Sequence, residues 1–144
     1  MSDIYNKFPP ERKDELLNWV MIVKPKDEWS DVVFDYMNHY QLKNWYGGME
    51  FVIKWSDDPS MVAYYMVEKG LTEDTEWAMK VIENDRTGYP SRAAYYMVRN
   101  GFTDDTEWAM KVIQNAKTGT PSWYAYWMVV AQHATREWYD RNFT

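Results

Sequence analysis

The sequence predicts an all-α fold: a right-handed, single-layered α-solenoid of two-helix repeats with about nine helices. Three observations predict it. One module is written nearly three times. Pro59-Ser60…Ala63-Tyr64-Tyr65-Met66-Val67…Gly70…Thr72…Thr75-Glu76-Trp77-Ala78-Met79-Lys80-Val81-Ile82 returns as Pro90-Ser91…Ala94-Tyr95-Tyr96-Met97-Val98…Gly101…Thr103…Thr106-Glu107-Trp108-Ala109-Met110-Lys111-Val112-Ile113. Pro121-Ser122…Ala125-Tyr126-Trp127-Met128-Val129 opens a third copy at the same 31-residue step. Units of this period bury their apolar faces against one another. Within each copy the apolar residues recur at helical spacing, and the start and stop signals fall in the same places.

The elements follow in order. Residues 10–24 read as an unpaired capping helix, because Ile22-Val23-Lys24 matches Val52-Ile53-Lys54, and Pro25 stops it. Residues 29–55 form a diverged unit, with Tyr36-Met37 and Val52-Ile53 lying 29 residues before Tyr65-Met66 and Val81-Ile82. Residues 58–84 and 90–115 are the clear repeats, and 121–142 is a C-terminal capping repeat with a polar second helix. All belong to one domain, 1–144. In each unit a first helix, A, opens on Pro, with Asp58 or Thr120 as N-cap. It ends where Gly70 or Gly101 takes the left-handed conformation and Leu71 or Phe102 folds back onto Met66 or Met97. Thr72 and Thr103 then cap a second helix, B, whose first turn holds Glu73-Asp74 or Asp104-Asp105, favoured by the helix dipole.

Helix B sorts into two faces. Trp77, Ala78, Val81 and Ile82 make an apolar stripe, and Glu73, Glu76, Lys80 and Glu83 lie opposite. Glu76–Lys80 and Glu107–Lys111 are i,i+4 pairs in the favourable order. Repeat register places Met66, Met97 and Met128 in equivalent buried sites, and likewise Val81 and Val112. Gly48 aligns with Trp77 and Trp108, so the diverged unit lacks that indole. Either Tyr46, Trp45 or Trp55 fills the space, or a small pocket opens.

Helix A is apolar on more sides than a single layer can cover, over 61–67, 93–98 and 123–131. Turning Ala63, Met66 and Val67 inward leaves Met61 and Glu68 outermost, then Arg92 and Arg99, then Trp123 and Val130. Aromatic residues flank this stripe. The candidate partner-binding residues are therefore Tyr64, Tyr65, Arg92, Tyr95, Tyr96, Arg99, Trp123, Tyr126, Trp127 and Val130. Trp, Tyr and Arg dominate interface energetics. The competing reading has the Tyr rings packed sideways between adjacent A helices with their hydroxyls in water.

Other function classes lose support. A net charge of −6 argues against nucleic acid, although one Tyr per repeat could stack a base. The absence of Cys removes thiolate metal sites and disulfides. No apolar run suits a membrane and no leader pattern opens the chain, so the expected setting is cytoplasmic. No phosphate loop, dinucleotide fingerprint, nucleophile elbow or HExxH motif is present. The chain is accordingly read as no enzyme, with no catalytic residues, no cofactor and no metal. His39 is expected to pair with Asp35 one turn earlier, and His133 stands apart from it. The expected partner is a protein or peptide. The alternative is a homo-oligomer built through the C-terminal A face.

The segment Asp58-Pro59…Ala63-Tyr64 resembles the short two-helix repeats found in uncharacterised tailed-phage proteins. The likeness spans roughly 58–130, and Trp77 and Trp108 depart from it. It implies a phage or phage-like origin and a host-directed role, such as modulating or inhibiting a host protein in the host cytoplasm. The family carries no assigned chemistry to transfer.

Overall fold

The computed structural model describes residues 2–87, 89–114, 121–130 and 134–143, without the side chains of residues 2, 3, 121–123, 142 and 143. These residues form the α-helices α1 (Ser2–Lys7), α2 (Lys13–Val23), α3 (Trp29–Tyr40), α4 (Tyr46–Trp55), α5 (Pro59–Glu68), α6 (Thr75–Asn84), α7 (Pro90–Arg99), α8 (Thr106–Ile113), α9 (Pro121–Val130) and α10 (Arg136–Phe143). Short 3-10 turns at Pro10–Arg12 and Lys26–Glu28 precede α2 and α3, and no strand occurs among the described residues. The fold class is all-α, as predicted. Helices this short are marginal alone, so packing must hold them.

The chain divides into two compact units, Met1–Asp57 with Tyr65–Asp74, and Asp58–Tyr64 with Thr75–Thr144. In the first, α2, α3 and α4 pack against one another. Leu16, Val20, Val33, Tyr36, Met37 and Met49 are fully buried there. In the second, α7 lies against α6, α8 and α9, and α9 also meets α8 and α10. Ala93, Ala94, Met97, Ala109, Val112, Ala125 and Met128 form its fully buried interior.

Helix α1 lies beyond the nine helices expected from the sequence, and tertiary contacts explain it. Ile4 and Phe8 are buried. The Tyr40 hydroxyl donates to the Tyr5 carbonyl at 2.9 Å. The Tyr36 hydroxyl donates to the carbonyls of Phe8 (2.7 Å) and Pro9 (3.2 Å). Nothing in the local sequence of this six-residue helix announces those ties.

The predicted helix ends are found, and one more besides. Gly70 and Gly101 both sit at φ +77°. Leu71 N–H reaches Met66 O and Phe102 N–H reaches Met97 O, each at 2.9 Å. Gly70 and Gly101 donate to Val67 O and Val98 O at 3.1 Å, completing a Schellman motif at each site. The same motif closes α3: Leu42 N–H bonds Met37 O at 3.0 Å, with Gln41 in the left-handed position at φ 49°. Met37, Met66 and Met97 thus occupy the same place in three motifs, and all are fully buried, as is Met128.

Asp58 caps α5, its Oδ1 accepting from Met61 N–H at 3.4 Å. A buried carboxylate adds to that helix end, since Asp85 Oδ2 accepts from Ser60 N–H at 2.9 Å. Thr120 lies outside the described residues. The B helices start later than expected. Asp105, not Thr103, caps α8, its side chain accepting from Trp108 N–H at 3.0 Å. Thr103 and Thr72 instead hold the preceding turns, through the amides of Asp105 (3.2 Å) and Asp74 (3.0 Å). Thr and Asp are both good caps, and the carboxylate nearer the helix takes the role.

Gly48 explains the missing indole. Trp45, only 8% exposed, lies across it and donates from Nε1 to Asp14 Oδ1 at 3.1 Å. A Cβ on Gly48 would stand 2.6 Å from Trp45 Cζ3 and 2.8 Å from Cδ2. The ring needs a residue without a side chain beneath it, so Trp45 is the filler among the three candidates. Three expectations need correction. Val81 is only half-buried, whereas Val112 is fully buried and Ile82 takes the inner place in α6. Met61, expected outermost, is buried. Neither Glu76–Lys80 nor Glu107–Lys111 closes into an ion pair among the described residues, consistent with the small value of exposed pairs.

Candidate functional site

The second unit carries a groove of about 460 Å³ lined by Arg92, Tyr95, Tyr96, Arg99, Tyr124 and Trp127. Four of these come from α7 and two from α9. Local sequence places the first four. Ala93, Ala94, Met97 and Val98 turn into the interior, leaving Arg92, Tyr95, Tyr96 and Arg99 on the remaining face of α7. Pro90 is buried at the start of that helix, and the left-handed Gly101 ends it, so its length and register are fixed at both ends.

The rings are braced. Tyr96 stacks on Tyr64 with centroids 5.6 Å apart and lies 5.3 Å from Tyr95. Tyr64 is itself buried and accepts from Asn100 Nδ2 at 2.7 Å. Phe102, the residue that folds back after α7, touches the same Tyr64 ring at 6.0 Å. The helix cap and the aromatic floor are therefore one packed cluster.

The two guanidinium groups differ. Arg92 is half-buried, hydrogen-bonded to the Tyr124 side chain, and 4.5 Å from the Tyr89 ring centroid. Its pKa is raised above the ordinary arginine value, chiefly by the Tyr124 hydrogen bond. Burial opposes that shift, and the charge of Asp58 adds to it. Arg99 is exposed and stands 6.0 Å from the Tyr95 ring centroid. Neither arginine forms an ion pair with a carboxylate among the described residues.

The structure brings five of the expected residues together: Arg92, Tyr95, Tyr96, Arg99 and Trp127. Tyr64 lies beneath the groove as a buried support and offers no surface to a partner. Tyr126 turns toward α10 and meets the Tyr139 ring edge-on at 6.0 Å. Val130 is exposed on α9 outside the groove lining. Tyr65 is exposed in the other compact unit. The Trp123 side chain lies outside the described residues. Along the aromatic flank, Tyr64 stacks on Tyr96 and Tyr126 is engaged by Tyr139.

Tyr124 is the lining residue that sequence reasoning missed. It stands where the earlier units carry Val62 and Ala93, so a large residue at a small-residue position was the available signal.

The expected Asp35–His39 ion pair does not form among the described residues. The His39 ring lies flat on Tyr5 instead, with centroids 3.8 Å apart. Asp35 is held above the usual carboxylate range, first by burial and then by Asp31 one turn earlier. His133 lies outside the described residues. Among those described, no cluster of three or more His, Asp or Glu suits a metal ion, and no helix is long and apolar enough to cross a membrane. Comparison with protein-family models, curated proteins and solved structures finds no match to this chain.

Proposed function

We propose that this chain is a non-enzymatic binding module of the helical-repeat, α-solenoid kind, which holds a segment of a protein partner in the groove between α7 and α9. The observation that carries this reading is the groove itself. Four aromatic side chains and two arginines converge on about 460 Å³ of concave space. That volume is within the range of ligand sites, and the residue types are those on which binding energy concentrates. The repeated helix ends support the scaffold part of the reading. Three Schellman motifs with a buried methionine at the same position give three helices a common way of turning back.

The test is selection of a random twelve-residue peptide library on the full-length chain, with each recovered clone assayed against Trp127→Ser. Trp127 is 39% exposed, so its replacement should leave the fold intact, which circular dichroism checks. Clones that lose binding to Trp127→Ser support the groove. A selection yielding no Trp127-dependent clone overturns the proposal.

A further inference from the structure

We infer that the groove takes an acidic peptide in extended, polyproline-II-like form, with two carboxylates three residues apart. This rests on the proposed binding function and specifies its ligand.

The charge argument starts from Arg99. The protein has 22 acidic and 16 basic side chains, so an arginine here has no shortage of acidic partners on its own chain. Yet Arg99 is left without an ion pair among the described residues, at the edge of a concave aromatic surface. Tyr95 faces its guanidinium, and an aromatic ring attracts a cation without neutralising it. Arg92 is oriented by a hydrogen bond to Tyr124 and by the face of the Tyr89 ring, and neither neutralises it. Asp58 contributes a field at Arg92, but its Oδ1 accepts from Met61 N–H and Ser60 Oγ at the start of α5. The fork of a guanidinium matches a carboxylate, and the groove supplies two of them.

The spacing argument fixes the ligand's form. Arg92 and Arg99 lie two helical turns apart on one face of α7, roughly 10 Å along its axis. A polyproline-II segment rises about 3.1 Å per residue with three residues per turn. Residues i and i+3 therefore point the same way at about 9 Å, which matches the arginine spacing. The intervening residues would lie on Tyr95, Tyr96 and Trp127. Aromatic-lined grooves suit that conformation because it is already extended and loses little entropy on docking.

A nucleic-acid strand fits these observations less well. Only two cations line the groove, on a chain of net charge −6, and a strand presents a phosphate at every step.

The experiment uses the clones of the same selection, fluorescein-labelled, with dissociation constants read by anisotropy. Trp127-dependent clones should be enriched in Asp or Glu at i and i+3. Changing those acids to Gln or Asn should weaken binding roughly five- to tenfold, as should Arg99→Gln, in line with a charge-assisted hydrogen bond. Arg99→Gln and the neutralisation of the single acid that faces Arg99 should not add, because each removes the same contact. Binding should weaken as salt rises.

Trp127-dependent clones that lack acids, or that bind Arg99→Gln as tightly as the parent, overturn this inference and leave the peptide-binding function standing. A selection with no Trp127-dependent clone overturns both. A twelve-nucleotide oligo(dT) that binds more tightly than the best acidic clone also overturns the inference.

Discussion

Gly47 and Gly48 stand side by side in α4, and replacing each by alanine should move stability in opposite directions. Alanine is favoured over glycine inside a helix by about 1 kcal/mol. At Gly47 nothing opposes that gain. The site is exposed, and a Cβ would rest 3.4 Å from Trp45 Nε1, an ordinary contact. Gly47→Ala should therefore raise stability by about 0.5–1 kcal/mol. At Gly48 the same gain meets the Trp45 ring at 2.6 and 2.8 Å, far inside van der Waals contact. Forcing a methyl group into a packed site costs about 1–3 kcal/mol. If the ring were expelled instead, the loss would approach the 3–5 kcal/mol of a deleted buried indole, with the bond to Asp14 lost as well. The net expectation for Gly48→Ala is a loss of about 1–2 kcal/mol, or a melting temperature lower by roughly 3–10 °C. Thermal and urea unfolding followed by circular dichroism would measure both variants. The decisive step is a Trp45→Ala background, where the obstructing ring is gone and Gly48→Ala should become stabilising. If Gly48→Ala stabilises the parent chain as Gly47→Ala does, the account of Trp45 is wrong.

Three further outcomes follow from the same structure. Gln41 holds a left-handed position that glycine occupies without strain, so Gln41→Gly should stabilise and Gly101→Gln should destabilise, each by about 1 kcal/mol in chemical denaturation. Met97→Ala should cost about 2–5 kcal/mol, because the side chain is fully buried and its removal leaves a cavity. Tyr36 has its pKa raised from 10.0 to about 12, by burial first and then by Tyr40 and Glu11. Its neutral form is the one the fold prefers, so its contribution is complete below pH 10 and is lost as pH rises from about 10 to 12. Tyr36→Phe cannot ionise there, and its stability should fall less steeply across that window.

Glycine made part of this fold readable in advance. Gly70 and Gly101 announced their helix ends because few other residues take positive φ, whereas Gln41 performs the same turn without a compositional sign. The choice between Thr103 and Asp105 as cap could not be read, since both side chains are good acceptors and only the path of the chain selects one. Trp45 was one of three aromatics that fitted a gap above Gly48, and the hydrogen bond to Asp14 is a long-range fact that local pattern does not carry. For the groove, α7 was legible because one helix presents Arg92, Tyr95, Tyr96 and Arg99 by its own periodicity. The α9 contribution was less so. Tyr124 breaks the repeat, and Tyr126 is drawn to Tyr139 on a polar final helix whose sequence departs from the earlier B helices.

The hydrogen bonds that α3 makes to the leading segment go to its backbone, not to its side chains. Tyr40 and Tyr36 donate to the carbonyls of residues 5, 8 and 9, and every amino acid supplies a carbonyl. The leading segment can therefore vary at Asn6 or Lys7, both exposed, without loosening its hold. The selectivity of that capture resides in α3. Sequence drift at these two positions is cheap, whereas Ile4 and Phe8 are buried and loss of either α3 hydroxyl is felt along the segment.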